Sequence, residues 1–299
     1  RPFEAGELVP ALQVLDTVQS GTVECGHSAS LYYTDYDPTF AFGSTLPFGF
    51  NTRQQQAWML QAGALDLMNE FLQDFNVISI IAGNTGAQMG GWFRHELNSA
   101  EDIKGLKFRT SGLTRLVIAR MGGLPQQLAA PDILPALEKG QIDAAAWVGP
   151  YDDEKLGFYK VAKYYYYPGW WAGNAQGSLY VNRQQWEALP PAYQSILQTA
   201  CADANTWMQS KYDAENPQAL RRLIAKGAEL RPFPHDLMEA AYKASFEVYD
   251  VLAARNANFA KLYGSWKKFR EEQNWWFHVA ETSFQDFVYT ESAAEARKG

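Results

Sequence analysis

Ala144-Ala145-Ala146-Trp147-Val148-Gly149-Pro150-Tyr151-Asp152-Asp153-Glu154, and shortly after it Tyr164-Tyr165-Tyr166-Tyr167-Pro168-Gly169-Trp170-Trp171-Ala172-Gly173-Asn174, decide how this chain is read. A short apolar strand ends in a Gly-Pro break, and a run of four tyrosines ends in a Pro-Gly break. Large rings beside such hinges suit a cleft that closes over a small molecule and expels water. The plainer reading, rings packed in an ordinary core, fits any one of them taken singly.

Outward from this stretch, strands and helices alternate. Leu8 to Gln19 carries apolar residues at helical spacing and stops at Gly21, and Thr22 to His27 reads as a strand. Arg53 to Phe75 reads as one long amphipathic helix, followed by the apolar run Asn76 to Ala82, as in a strand covered on both faces. Ser99 with Asp102 resembles a capping box. A strand Leu106 to Arg109, a helix Leu113 to Met121, a helix from Pro131 or Asp132 to Gly140 and a strand Ile142 to Trp147 follow. This predicts an α/β fold with mainly parallel sheets. After Asn182 the chain turns helical, over about 191–216, 217–226, 236–255 and 258–289, with one strand, Ala228 to Phe233. The tail 291–299 is small and charged and is expected to fray.

Composition narrows the function. The chain has 299 residues, 47% hydrophobic and 20% charged, enough for one large or two medium domains with real cores. A net charge of −7 with no basic stripe argues against nucleic acid as a partner. No segment approaches the roughly 18 uncharged apolar residues that cross a bilayer. Cys25 and Cys201 belong to no CxxC pair and read first as buried free thiols, second as a disulfide. His27, His95, His235 and His278 share no metal-binding spacing, and no P-loop, HExxH, GxSxG or GxGxxG motif occurs. Neither a metal nor a cofactor is expected, and catalysis has little support.

Arg109 stands apart. It ends a predicted buried strand and leads through Thr110-Ser111-Gly112 into a helix, where sheet proteins bind ligands and a helix start offers free N–H groups. An arginine there either clamps a carboxylate or pairs with a structural acid such as Asp132 or Asp143. Gln88, just past a glycine break, could present an amide to the same ligand or lie on the surface. Asp152-Asp153-Glu154 reads as a solvated loop end rather than a catalytic carboxylate pair, because adjacent side chains point apart.

Four stretches stand together in order: Gly90-Gly91-Trp92-Phe93-Arg94; Gly105-Leu106-Lys107-Phe108-Arg109; Pro135-Ala136-Leu137-Glu138-Lys139-Gly140-Gln141-Ile142-Asp143-Ala144; and Trp147-Val148-Gly149-Pro150-Tyr151-Asp152-Asp153-Glu154-Lys155-Leu156-Gly157. From about Gly6 to Phe287 the chain resembles the solute-binding proteins of TRAP (tripartite ATP-independent periplasmic) transporters, in the branch that binds 2-oxo acids or lactate. The resemblance implies a two-lobed periplasmic-binding-protein fold with long carboxyl-terminal helices and a cleft between the lobes. Lobe one would be 1–86 with 172–214, and lobe two 87–171 with 215–299. It implies periplasmic location, a small carboxylate ligand, a membrane permease as partner, Arg109 as the carboxylate anchor, and Gln88, Trp147 and Tyr33 at or near the ligand. It implies, too, a strand, a helix and a strand ahead of Arg1, so that the chain reads as a fragment. Two departures stand out. Ala146 and Ala172 occupy positions where the branch carries glutamates that help hold a cation, which predicts cation-independent binding or a changed ligand.

A secreted hydrolase using acids near Asp152, or a sugar- or amino-acid-binding protein of another transporter, are the competing readings. The rings Tyr263, Trp266, Phe269, Trp275, Trp276 and Phe277 exceed one buried stripe, so the last long helix either packs across both lobes or docks on a second subunit.

Overall fold

In a computed structural model, which describes residues 1–296, nine strands form two sheets. They are β1 Cys25–Ser28, β2 Val77–Asn84, β3 Trp92–Phe93, β4 Lys107–Arg109, β5 Leu124–Gln126, β6 Ala144–Ala145, β7 Tyr164–Tyr167, β8 Gln176–Asn182 and β9 Glu229–Pro232. The first sheet runs β1-β8-β2 and the second β5-β4-β6-β3-β7-β9. The expected parallel character holds only in part. The contacts β4–β5, β4–β6 and β7–β9 are parallel, whereas β3 pairs antiparallel with β6 and β7, and β8 antiparallel with β1 and β2. The antiparallel strands are those on segments that cross between the sheets and arrive against the local strand direction.

The chain passes between the sheets three times. β2 leaves the first sheet through Thr85 and Gly86 and enters β3. β7 returns through Pro168–Ala172 into β8, and the helix Pro191–Ala225 then leads to β9. At the two strand crossings backbone meets backbone. Met89 N donates to Val148 O at 3.0 Å, Gln88 N to Ala172 O at 3.0 Å, and Gly90 N to Tyr166 O at 2.7 Å. A methyl group built on Gly169 would lie 2.2 Å from Gln88 O, so only glycine lets these strands approach this closely.

Apolar periodicity placed most helices well, and the differences have local causes. The expected Leu8–Gln19 helix becomes a 3-10 turn, Ala11–Gln13, and a short helix, Val14–Gln19, because Pro10 sets the entry. The expected Arg53–Phe75 helix is two, Thr52–Gln61 and Ala64–Leu72, parted at Gly63, whose φ of 77° lies in the left-handed region. Asn51 and Gln54 close a reciprocal capping box on the first of them. Conversely, Pro191–Ala225 is one helix of 35 residues straight through Pro217. Pro217 and Asp213, whose carbonyl loses its donor, are both exposed, so water satisfies the orphan.

That helix packs its amino-terminal half on the first sheet, with Cys201 against Ile80 and Val181, and its carboxyl-terminal half in the second core, where Leu223 is buried. The helix Ala257–Phe277 packs on Phe42 (4.8 Å between the Phe42 and Phe259 ring centres), on Phe50 through Trp266 (5.4 Å), and on Trp58, whose Nε1 donates to Ser265 Oγ. It thus sits on the segment expected to be lobe one, although 215–299 was expected with lobe two. Tyr263 and Trp266 are core residues of this contact and Phe269 packs at its edge. Trp275 and Trp276 face solvent, at 71% and 51% exposure. Cys201 is a buried free thiol as expected, and Cys25 is free but exposed.

Candidate functional site

Arg109 is the last residue of β4, flanked by Gln126 of β5 and Ala145 of β6 at the carboxyl end of the three parallel strands. Its side chain is 3% exposed. Nε and Nη2 both donate to Leu128 O, at 3.1 and 2.8 Å, and Nη1 donates to Ala146 O at 2.6 Å. The guanidinium lies over the Trp147 ring, 4.8 Å from its centre. No carboxylate touches it among the described residues. The structural acids the sequence offered lie elsewhere: Asp143 Oδ2 accepts from Lys107 N, and Asp132 is exposed. A guanidinium has five N–H groups. Three are spent on these carbonyls and the Tyr32 hydroxyl lies against the guanidinium, so at most two remain for a ligand. Burial pushes the Arg109 pKa down, while the Tyr32 hydroxyl beside it and the field of Asp153 oppose that shift. Arginine stays protonated in proteins, so the wall holds an unpaired buried cation.

Around Arg109 opens a cavity of about 820 Å³. Gln88, Trp147, Ala146 and Ala172 line it, as does Trp171, and so do Tyr32, Thr45, Thr85 and Ser111, which the sequence did not single out. Gln88 Nε2 donates to Thr85 Oγ1 at 3.3 Å, which orients its amide. Ser111 Oγ and Trp171 Nε1 have no protein partner. Trp171 was legible as part of the Gly-Trp-Trp run. Ser111 and the threonines carry no sequence signal.

Tyr33 is not on this wall. It is 1% exposed, its hydroxyl donates to Ser28 Oγ at 2.8 Å and accepts from Leu15 N at 3.2 Å, and burial pushes its pKa up to about 12. Its neighbour Tyr32 faces the cavity instead. Both lie in the 3-10 turn Ser30–Tyr33, where consecutive side chains diverge by a third of a turn, so one ring of the pair must go to the core.

The Asp152-Asp153-Glu154 run departs further from expectation. Only part of it is solvated. Asp152 Oδ2 accepts from the Tyr212 hydroxyl, and Glu154 is held by Arg222 and Lys226, which pull its pKa down to about 2. Asp153 is 1% exposed, turned inward at the first turn of the helix Pro150–Leu156 behind Trp147. The cause is the 100° step between successive helical residues, which sends the middle acid to the interior.

A model of the family described as bacterial extracellular solute-binding protein, family 7, matches residues 1–256. The chain belongs to this family. Its relatives agree. The monocarboxylate 2-oxoacid-binding periplasmic protein of Nostoc sp. is 49% identical over 287 residues, which is 96% of this chain and 79% of that protein. A TRAP transporter solute-binding protein from Bordetella bronchiseptica RB50, a mixed-occupancy dimer with copurified calcium and picolinate in one site, is 46% identical, with a TM-score of 0.96 over 100% of this chain and 88% of that one. A TRAP periplasmic solute-binding protein from Pseudoalteromonas atlantica T6c, with bound sodium and pyruvate, is 37% identical, with a TM-score of 0.89 over 92% of this chain and 84% of that one. Family 7 proteins are the periplasmic, two-lobed solute receptors of TRAP transporters, and they work with a membrane permease. Among the described residues no helix is long and apolar enough to cross a membrane.

The two adjacent tyrosines separate stability from binding. Tyr33→Phe strips Leu15 N and Ser28 of a buried partner and should cost roughly 1–2 kcal/mol in chemical denaturation while leaving carboxylate affinity unchanged. Tyr32→Phe should do the reverse. Equal effects of the two substitutions on a binding isotherm would overturn the placement.

Proposed function

We propose that this chain captures a small monocarboxylate, a 2-oxo or 2-hydroxy acid, in the cleft at Arg109, and hands it to a TRAP permease without the aid of a cation. The observation that carries this reading is the buried Arg109 guanidinium, which lacks an acidic partner among the described residues and lines the cavity. Sealing such a charge is costly unless an anion completes it. Gln88, Tyr32, Trp147 and the unpartnered Ser111 hydroxyl and Trp171 N–H are placed to receive the rest of the ligand. The closing bodies would be lobe one, 1–86 with 172–214, and lobe two, 87–171 with the start of 215–299, the helix Ala257–Phe277 riding on lobe one.

The reading is of a binding protein and not an enzyme. A hydrolase needs facing carboxyl groups with freedom to exchange protons. Here Asp152 and Glu154 are bonded to Tyr212, Arg222 and Lys226, and Asp153 is sealed behind the wall. An amino-acid receptor needs an acid for the ammonium group, and no carboxylate touches Arg109 among the described residues; Glu4 and Glu24 line the same cavity from the first 24 residues of the chain.

A cation site does not fit these residues. A hard cation takes six or more oxygens, several of them anionic. At the two relevant positions stand Ala146 and Ala172, and no cluster of three His, Cys, Asp or Glu side chains among the described residues could hold a metal ion. One arginine and one carboxylate already balance in charge, so the ligand needs no further cation. The exposed rings Trp275, Trp276, Phe284, Phe287 and Tyr289 on the last helices support a homodimer joined there, since each is a large apolar group left in solvent.

Arg109→Ala should weaken pyruvate or lactate binding at least ~100-fold in calorimetry, since it removes the sole countercharge of a buried anion; near-normal affinity would refute the role. The double substitution Ala146→Glu with Ala172→Glu should make binding depend on sodium or calcium, where the wild-type protein ignores both. A wild-type affinity that rises with calcium sinks the cation-free site. Sedimentation at micromolar concentration should give a dimer that Trp275→Glu converts to a monomer, and a wild-type monomer throughout would exclude that interface.

A further inference from the structure

Asp153 takes no part in the site as described so far, yet it is the one buried acid behind its wall. Its Oδ2 accepts from Trp92 Nε1 at 3.0 Å and from the Tyr165 hydroxyl at 2.8 Å, and its Oδ1 from Val148 N at 3.4 Å. Trp92 and Tyr165 are stacked on each other, with ring centres 4.0 Å apart, and so present both donors from one rigid pair on β3 and β7. Every partner is neutral. Lobe two therefore encloses two opposite charges that do not touch: a guanidinium without an acid and a carboxylate without a base. Between them lies the segment Trp147–Val148. Asp153 holds it from behind through Val148 N, Met89 N holds it through Val148 O, and Arg109 lies on the Trp147 ring.

Resting on the proposed carboxylate site, we infer that Asp153 is its positioning residue: it fixes the Trp147 shelf under Arg109, and as the buried countercharge of that arginine it takes up a proton when the ligand anion arrives. The reasoning is electrostatic. In the empty protein the field of Arg109 favours an ionised Asp153. An incoming carboxylate cancels that field at close range and adds its own negative charge, so the ligand and the Asp153 anion repel each other through a low-dielectric wall. Burial, the largest cause, already lifts the Asp153 pKa to about 7, with Asp152 adding to the rise and the three hydrogen bonds opposing it. The other groups facing it are Tyr165, whose own pKa burial and this carboxylate drive well above the usual range, and Tyr212, bonded to Asp152; both stay protonated donors.

The sign is fixed by linkage. An anion raises the Asp153 pKa further, so the complex holds more protons than the free protein near neutrality. Affinity is highest below the free-state value, where Asp153 is neutral in both states, and declines as pH rises through it. Because the proton comes from the medium, binding heats depend on the buffer.

Titration of pyruvate into the full chain in phosphate and in Tris near pH 7 measures the exchange directly. The expected result is a binding enthalpy that differs between the buffers with the sign of proton uptake, and a Kd that rises about threefold or more from pH 6 to pH 8.5. Asp153→Asn removes the charge and should abolish both effects, whatever affinity it retains once its amide NH2 replaces one of the two accepting oxygens. His27 lines the same cavity, and burial depresses its pKa. His27→Gln should therefore leave the uptake near pH 7 in place. Pyruvate binding by the wild-type protein with equal enthalpies in the two buffers overturns the inference, a result that stands even if the asparagine variant fails to fold. Uptake that survives in Asp153→Asn overturns it as well. A failure of pyruvate to bind at all would sink the proposed function, and this inference with it.

Discussion

A guanidinium sealed in protein without an acid beside it is the constraint on which the rest of this receptor turns. Desolvating a cation is expensive, and two backbone carbonyls, Leu128 O and Ala146 O, offset only part of that cost. They do something else as well. By holding the Nε–Nη2 edge and Nη1, they fix the guanidinium at the cavity wall and stop the side chain from swinging out to water. Arg109 has no freedom to meet its ligand by induced fit. The ordering cost of the long side chain was met when the lobe folded, and binding does not bear it again.

The crossings between the two sheets carry this precision to the other side of the cleft. Gln88 N on Ala172 O, Met89 N on Val148 O and the bare Cα of Gly169 knit the outgoing and returning strands into one ribbon, from which Gln88, Trp171 and Ala172 project. Trp147 belongs to lobe two but is anchored to that ribbon through Val148. On the proposed division into lobes, a motion of one against the other pivots beside Arg109 and Trp147, which keep their mutual geometry. The long helix Pro191–Ala225, bonded at Asn216 to Tyr151 N, limits the pivot from the outside.

Ala146 and Ala172 turn charge balance into specificity. Solved relatives hold sodium or calcium together with their acids. With methyl groups at these two points, a carboxylate bound as proposed has Arg109 as its countercharge, and these two side chains beside it are apolar. That favours acids whose remainder is small and carbon-like over those that chelate. The same economy of charge exposes the site to Asp153, the nearest buried anion, whose influence in a wall richer in carboxylates would be one among several.

Much of the fold was legible in the chain, because strand ends, glycine breaks and helical periodicity are local. Spacing marked Arg109 at the close of β4 as a carboxylate clamp or a structural pair and left Gln88 open between ligand and surface, and only the family resemblance put Trp147 beside them. What could not be read depends on which side of a turn faces inward and on partners distant in sequence. Tyr32 and Tyr33 are identical neighbours, and only the packing of Leu15 and Ser28 around one hydroxyl sends the other ring to the ligand. Asp153 looks like a surface acid until the strands of Trp92 and Tyr165, 61 and 12 residues away, close over it. The helix through Pro217 survives because its orphaned carbonyl meets water. Residue type and periodicity thus set the elements and the chemistry on offer. Burial and charge pairing, which exist only after distant segments meet, settled which of those groups face the ligand.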